Sequence, residues 1–169
     1  MILAFDTYYF DNKAKTACIL FDNWSEENYK FETEIIEQNE EYKPGEFYKR
    51  ELPCILSLLK KIKIDKIDLI IVDGYVYLDD NLKLGLGGHL YKNLEGKIPI
   101  IGVAKTNFKT LKEAKKEILR GNSEKPLYIT SIGIELDEAT KLIKNMSGQY
   151  RIPTLLKKLD SLTKEKNCG

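Results

Sequence analysis

The chain has 169 residues, 27 Lys and Arg against 26 Asp and Glu, and a formal net charge of +1. With 43% hydrophobic residues there is enough apolar material for a full core, which excludes a charged disordered tail. No apolar run reaches the roughly 18 to 20 residues of a membrane helix, and three unevenly spaced cysteines exclude a disulfide scaffold.

One domain over 1–169 is expected, with 164–169 frayed. Strand-like segments run from Ile2 to Tyr9, Thr16 to Phe21 and Tyr29 to Ile36, separated by polar breaks, and suit an antiparallel meander. From Glu46 the period becomes helical: Ile55, Leu56, Leu59 and Ile62 share a face, with Pro53 placed in an early turn. A short β-branched run, Leu69 to Val72, then stops at Asp73-Gly74 and reads as a strand buried on both faces. A helix over Leu84 to Leu94 and a second buried strand, Ile98 to Val103, follow, the latter ending at Ala104-Lys105. Helical pattern resumes over Leu111 to Leu119, then a strand at Leu127 to Ser131, a helix over Asp137 to Met146, and a last helix from Pro153. The periodicity gives an α/β class.

Ligands of α/β sheets bind outside the carboxyl ends of the strands. Two parallel buried strands ending at Asp73 and Lys105 place a carboxylate and an ammonium at one such edge, a pairing suited to phosphate chemistry. Asp6 interrupts the first apolar strand, where an unpartnered carboxylate is costly. Asp6, Glu51 and Asp73 are therefore candidate oxygen ligands for Mg²⁺ or Mn²⁺. Residues 1–100 carry more acidic than basic side chains and 101–169 the reverse, so a basic second half can steer a phosphate backbone toward the acids.

These residues resemble the endonuclease V family. The matching pieces, in order, are the early strand with Asp6, Tyr42-x-Pro44-Gly45-x-Phe47-x-x-Arg50-Glu51-x-Pro53, Val72-Asp73-Gly74, Leu84-Gly85-Leu86-Gly87-Gly88-His89-Leu90, and Ile98-Pro99-x-Ile101-Gly102-Val103-Ala104-Lys105. Weaker echoes follow in Tyr128-x-x-Ser131-x-Gly133 and Tyr150-Arg151-Ile152-Pro153-Thr154. The resemblance implies a ribonuclease H-like mixed sheet and a Mg²⁺-dependent endonuclease, Mn²⁺ being an alternative, that nicks DNA or RNA 3′ to deoxyinosine or inosine.

Carried over residue by residue, it makes Asp6 and Asp73 direct metal ligands and Glu51 a ligand directly or through water. Lys105 would counter charge on the scissile phosphate. Tyr42 and Pro44 would form a wedge that replaces lost base stacking. Gly45, Phe47, Gly74, Gly85, Leu86, Gly102 and Ala104 would build the pocket for the extruded base. The run Gly85-x-Gly87-Gly88 lacks the Lys-Ser/Thr of a P-loop.

The chain departs from the family at two histidine positions. Where the family has a His after Asp-Gly, this chain has Asp79 and Asp80, one or other of which would serve as a replacement metal or water ligand. Where the family has a late Ser-Pro-Gly-His, this chain has Ser131-Ile132-Gly133-Ile134. Its single histidine, His89, falls on a helix and reads as structural. The alternative function is therefore a nucleic-acid-binding protein that keeps the wedge and pocket but cleaves weakly or not at all. A cytoplasmic monomer is expected, without membrane contact, because the N-terminus lacks signal-peptide character and the cysteines suit a reducing compartment.

Overall fold

The computed structural model describes residues 1–38, 46–62 and 66–165. Strands β1 (Ile2–Phe10), β2 (Lys13–Phe21) and β3 (Lys30–Glu37) form the meander. Then follow α1 (Phe47–Lys61), β4 (Leu69–Asp73), α2 (Leu86–Asn93), β5 (Ile100–Ala104), β6 (Lys116–Ile118), β7 (Leu127–Ile132), α3 (Leu136–Lys144) and α4 (Thr154–Lys164). All seven strands join one sheet in the order β3-β2-β1-β4-β5-β7-β6. β1, β4 and β5 pair in parallel at its centre, while the flanking pairs are antiparallel.

Alternation along each strand decides which helix covers it. Ile2, Ala4, Ile19, Ile71, Ile101 and Ile129 point to one face and pack under α3 and α4. Leu3, Phe5, Cys18, Ile70, Val72 and Ile100 point to the other, under α1 and α2. The β1–β2 hairpin turns on Asp11 and Asn12, both in the left-handed region with φ of 45° and 58°. Two such residues give the turn whose twist matches that of the strands, and Asx residues tolerate it best.

Two expectations need correction. Residues 111–119 do not form a helix: after a loop, Lys116 to Ile118 pair antiparallel with β7. Leu111 and Ile118 are both buried and stand seven apart, a spacing that imitates two helical turns. The backbone N–H groups a helix would use are instead taken by Asp80, which accepts from Lys112, Glu113 and Ala114 at 2.9, 2.8 and 3.4 Å. Pro53 lies inside α1 rather than in its opening turn, so that helix gives up one intrahelical hydrogen bond.

Candidate active site

The register of the central strands assembles the site. Phe5 pairs with Val72, so Asp6 and Asp73 follow as neighbours at the carboxyl edge, and Asp73 in turn pairs with Val103, two residues before Lys105. The Asp6 carboxyl accepts the Thr7 N–H at 2.9 Å and is hydrogen-bonded to Asp73. Burial pushes Asp6 up to about 8, and the charge of Asp73 adds to the rise, while the Thr7 N–H and Lys105 act the other way. Asp6 thus keeps its proton near neutral pH, because burial disfavours its charged form and a second carboxylate adjoins it. Glu51 reaches the same edge from α1. Burial, then the charges of Asp6 and Asp73, hold it well above the ordinary range, against a hydrogen bond from Thr7 and the charge of Arg50.

Among the described residues no three His, Cys, Asp or Glu side chains stand close enough to form a ready-made metal cage. The tight unit is the Asp6–Asp73 pair, with Glu51 coupled to it through charge. The pair opens onto a small cleft, with Lys105 at its rim and an apolar wall from Ile152, Pro153, Leu156 and Leu159.

Tyr42, Pro44 and Gly45 lie outside the described residues. Phe47 begins α1 and is 51% exposed, whereas Leu86 is buried in the core beneath α1 and α2. The expected pocket glycines divide. Gly74, with φ of 140°, has nothing within 4 Å of where a Cβ would sit. A Cβ on Gly102 would meet the Gly74 carbonyl at 2.5 Å and Thr130 Oγ1 at 2.6 Å; one on Gly85 would meet the Tyr75 carbonyl at 2.6 Å. These two allow the backbone after β4 to lie against β5 and α2. Ala104 is buried at the end of β5. The start of α2 holds protein rather than phosphate, since Gly87 and Gly88 donate to the Tyr75 and Val76 carbonyls at 3.1 and 3.2 Å.

A model of endonuclease V matches residues 1–161. The chain belongs to the endonuclease V family. Membership makes it a nuclease acting on nucleic acid. Endonuclease V from Streptomyces avermitilis is 24% identical, with a TM-score of 0.74 over 96% of this chain and 78% of that one. Endonuclease V from Ciona intestinalis, in complex with a 24mer DNA containing an inosine followed by a ribo-adenosine, is 18% identical. Its TM-score is 0.81 over 96% of this chain and 83% of that one. Human ENDOV is 18% identical, with a TM-score of 0.77 over 96% and 82%. These likenesses give the ribonuclease H-like fold. No curated protein matches the chain.

Against the endonuclease V pattern, the two histidine positions are put to other uses. Asp79 Oδ1 accepts N–H groups from Asn81 and Lys83 at 2.9 and 3.1 Å, closing a local turn. Asp80 fastens the 112–114 backbone, and those bonds hold its carboxyl below the usual range. Neither lines the cleft. Both acids serve as turn and loop acceptors. Ile134 packs against the α3–α4 core, and it follows the end of β7 that pairs with the start of β5, away from the acids. His89 stacks on Tyr48 with ring centroids 3.7 Å apart, a structural role joining α2 to α1.

Sequence reasoning missed two groups at this edge. Thr7 bridges the acids, its N–H on Asp6 and its side chain on Glu51; strand alternation directly after Asp6 was the available signal. Asp160 follows the cleft residue Leu159 on α4 and binds Lys164 at 3.2 Å; the Lys164 ammonium lies 5.8 Å from the Tyr8 ring and feels the Asp6 charge. Its only sequence signal was an acid among the leucines of an amphipathic helix. In the described residues no helix is long and apolar enough to cross a membrane.

Proposed function

We propose that this chain is a Mg²⁺-dependent endonuclease, able to use Mn²⁺, that nicks DNA or RNA 3′ to deoxyinosine or inosine. By resemblance, the cut falls at the second phosphodiester beyond the lesion. The observation that carries the reading is the Asp6–Asp73 pair, a buried carboxyl hydrogen-bonded to an exposed one, in which burial first and the adjoining like charge second hold the Asp6 proton. A hard divalent cation displaces such a proton and is held by oxygen donors of this kind, so the residues present fit the ion.

Asp6 and Asp73 would hold the cation, with Glu51 as a further acid at its margin. When bound, Mg²⁺ supplies charge neutralisation and an acidified water. Glu51, hydrogen-bonded by Thr7, would join the cation directly or through a water. Lys105, exposed at the rim, positions the non-bridging phosphate oxygens. The apolar wall from α4 excludes bulk water from one side of the cleft, which strengthens each charge interaction within it. Gly74, open at the carboxyl end of β4, gives an extruded base room to meet the backbone, and Tyr42 with Pro44 supplies the wedge. The reading takes the chain as one catalytic domain that acts as a monomer.

The test is cleavage of matched strands carrying deoxyinosine, inosine or neither, with EDTA, Mg²⁺ or Mn²⁺. A nick that requires both the lesion and the metal is expected; cleavage independent of either sinks the reading. A second reading, inosine-dependent binding without cleavage, is favoured by one observation: Asp79, Asp80 and Ile134 leave the site without a proton-carrying imidazole. Lesion-selective binding with no product at any metal concentration would select it.

A further inference from the structure

The 147–153 segment beside the cleft carries an exposed aromatic on an unusually fixed loop. Tyr150 is 79% exposed, and among the described residues no ring or cation packs on it. The loop beneath it is held by two arginines. Arg120, 6% exposed, donates to the carbonyls of Tyr150 and Met146 at 2.6 Å each, Gly148 at 3.2 Å, and Lys144 and Arg151 at 3.4 Å each. Arg151 ties the loop to the catalytic edge, donating to the Lys105 carbonyl at 2.6 Å and the Pro126 carbonyl at 2.8 Å.

Burying a guanidinium is costly unless its N–H groups are satisfied, and here five carbonyls satisfy them, those of Gly148, Tyr150 and Arg151 on the loop and those of Lys144 and Met146 just before it. What that fixed conformation displays to solvent is the Tyr150 ring. The two following residues, Ile152 and Pro153, already line the cleft. Lys105 and Lys125, both exposed, flank the carbonyls that Arg151 holds. An exposed aromatic face on a loop tied to a lysine-bearing edge suits a nucleic-acid strand, whose phosphates meet the lysines while a base lies on the ring.

We propose that Tyr150 is a stacking platform for a base of the bound strand beside the cleft, a specificity residue additional to the acids and Lys105. The inference rests on the nuclease reading of the same site. Because the loop backbone is already held, stacking orders little beyond the Tyr150 side chain itself.

The experiment places 2-aminopurine at each position flanking an inosine and records its fluorescence on binding to the parent, Tyr150→Phe and Tyr150→Ala, alongside dissociation constants and cleavage. The parent and Tyr150→Phe are expected to quench the probe at one position. Tyr150→Ala is expected to lose that quenching and to bind roughly 5- to 100-fold more weakly. Unchanged quenching and affinity in Tyr150→Ala overturn the platform even where the parent cleaves at inosine. Lost quenching in Tyr150→Ala, with a parent that binds strands but does not cleave them, supports the platform and removes the proposed activity. A parent that binds no strand overturns both.

Discussion

Asp6 and Asp73 meet because Phe5 and Val72 are paired in parallel register, and the next residue on each strand is an aspartate. Asp73→Asn keeps the shape and removes the like charge. Asp6 is then expected to titrate below about 8, with burial alone still holding it above the ordinary range, and cleavage to fall by about a hundredfold or more. A carbon-detected NMR titration of Asp6 checks this, and an unchanged midpoint contradicts it. The raised carboxyls also affect stability. Asp6 is protonated in the folded chain over a range where the unfolded chain has already lost that proton. Its contribution is fully present below the ordinary value of 3.8 and is lost as pH rises toward about 8. Metal-free protein should therefore unfold at lower urea concentration at about pH 8 than at about pH 5, with Mg²⁺ recovering much of the difference. A urea midpoint that stays flat across that window counts against the pair.

At the scale of elements, the turn after β4 organises its neighbours. Val76 N–H donates to Thr130 Oγ1 at 2.9 Å, and the start of α2 bonds to the Tyr75 and Val76 carbonyls, so β4, α2 and β7 share one junction. Gly102→Ala drives a methyl into the Gly74 carbonyl and Thr130, and is expected to cost about 1–3 kcal/mol, read as a lowered denaturation midpoint. A stability equal to the parent's would show that the turn can move aside. The same stretch holds the loop after β5: Tyr75 donates to the Thr106 carbonyl at 2.6 Å, Thr110 to the Leu78 carbonyl at 2.7 Å, and Asp80 accepts from residues 112–114. Asp80→Ala removes the last of these fasteners. Hydrogen exchange at 112–114 should speed up while β4 and β5 stay protected. Unaltered exchange would mean Asp80 is not what holds the loop.

For the whole molecule, net charge says little and placement says more. The chain is nearly neutral, yet Lys105, Lys109 and Lys112 lie exposed on the loop that leaves the catalytic edge. Strand binding is expected to weaken with salt. Replacing Lys109 and Lys112 together by Ala should reduce the slope of log affinity against log salt by about 1.4, since each single-strand phosphate contact contributes about 0.7. A slope equal to the parent's would move the strand elsewhere on the surface.

Asp73 and Lys105 were readable in the sequence because each ends a short, wholly apolar run, and only strands buried on both faces have that pattern. Asp6 was readable for the related reason that a carboxylate inside such a run needs a partner. The α/β class followed from the change of period after the meander. The helix expected over 111–119 failed because Leu111 and Ile118 are buried by different neighbours, and a seven-residue spacing does not reveal that. Asp79 or Asp80 was expected as a ligand, and only the folded chain shows Asp79 Oδ1 and the Asp80 carboxyl accepting backbone N–H groups. The glycines were visible as a composition, not as roles. Gly102 and Gly85 make room for protein, and Gly74 alone of the three faces open space. The sequence determined which residues end buried strands, since local pattern carries burial. The tertiary structure decided which of them share an edge, and that α4 brings Asp160, Lys164 and the Tyr150 loop there, because those contacts join segments far apart along the chain.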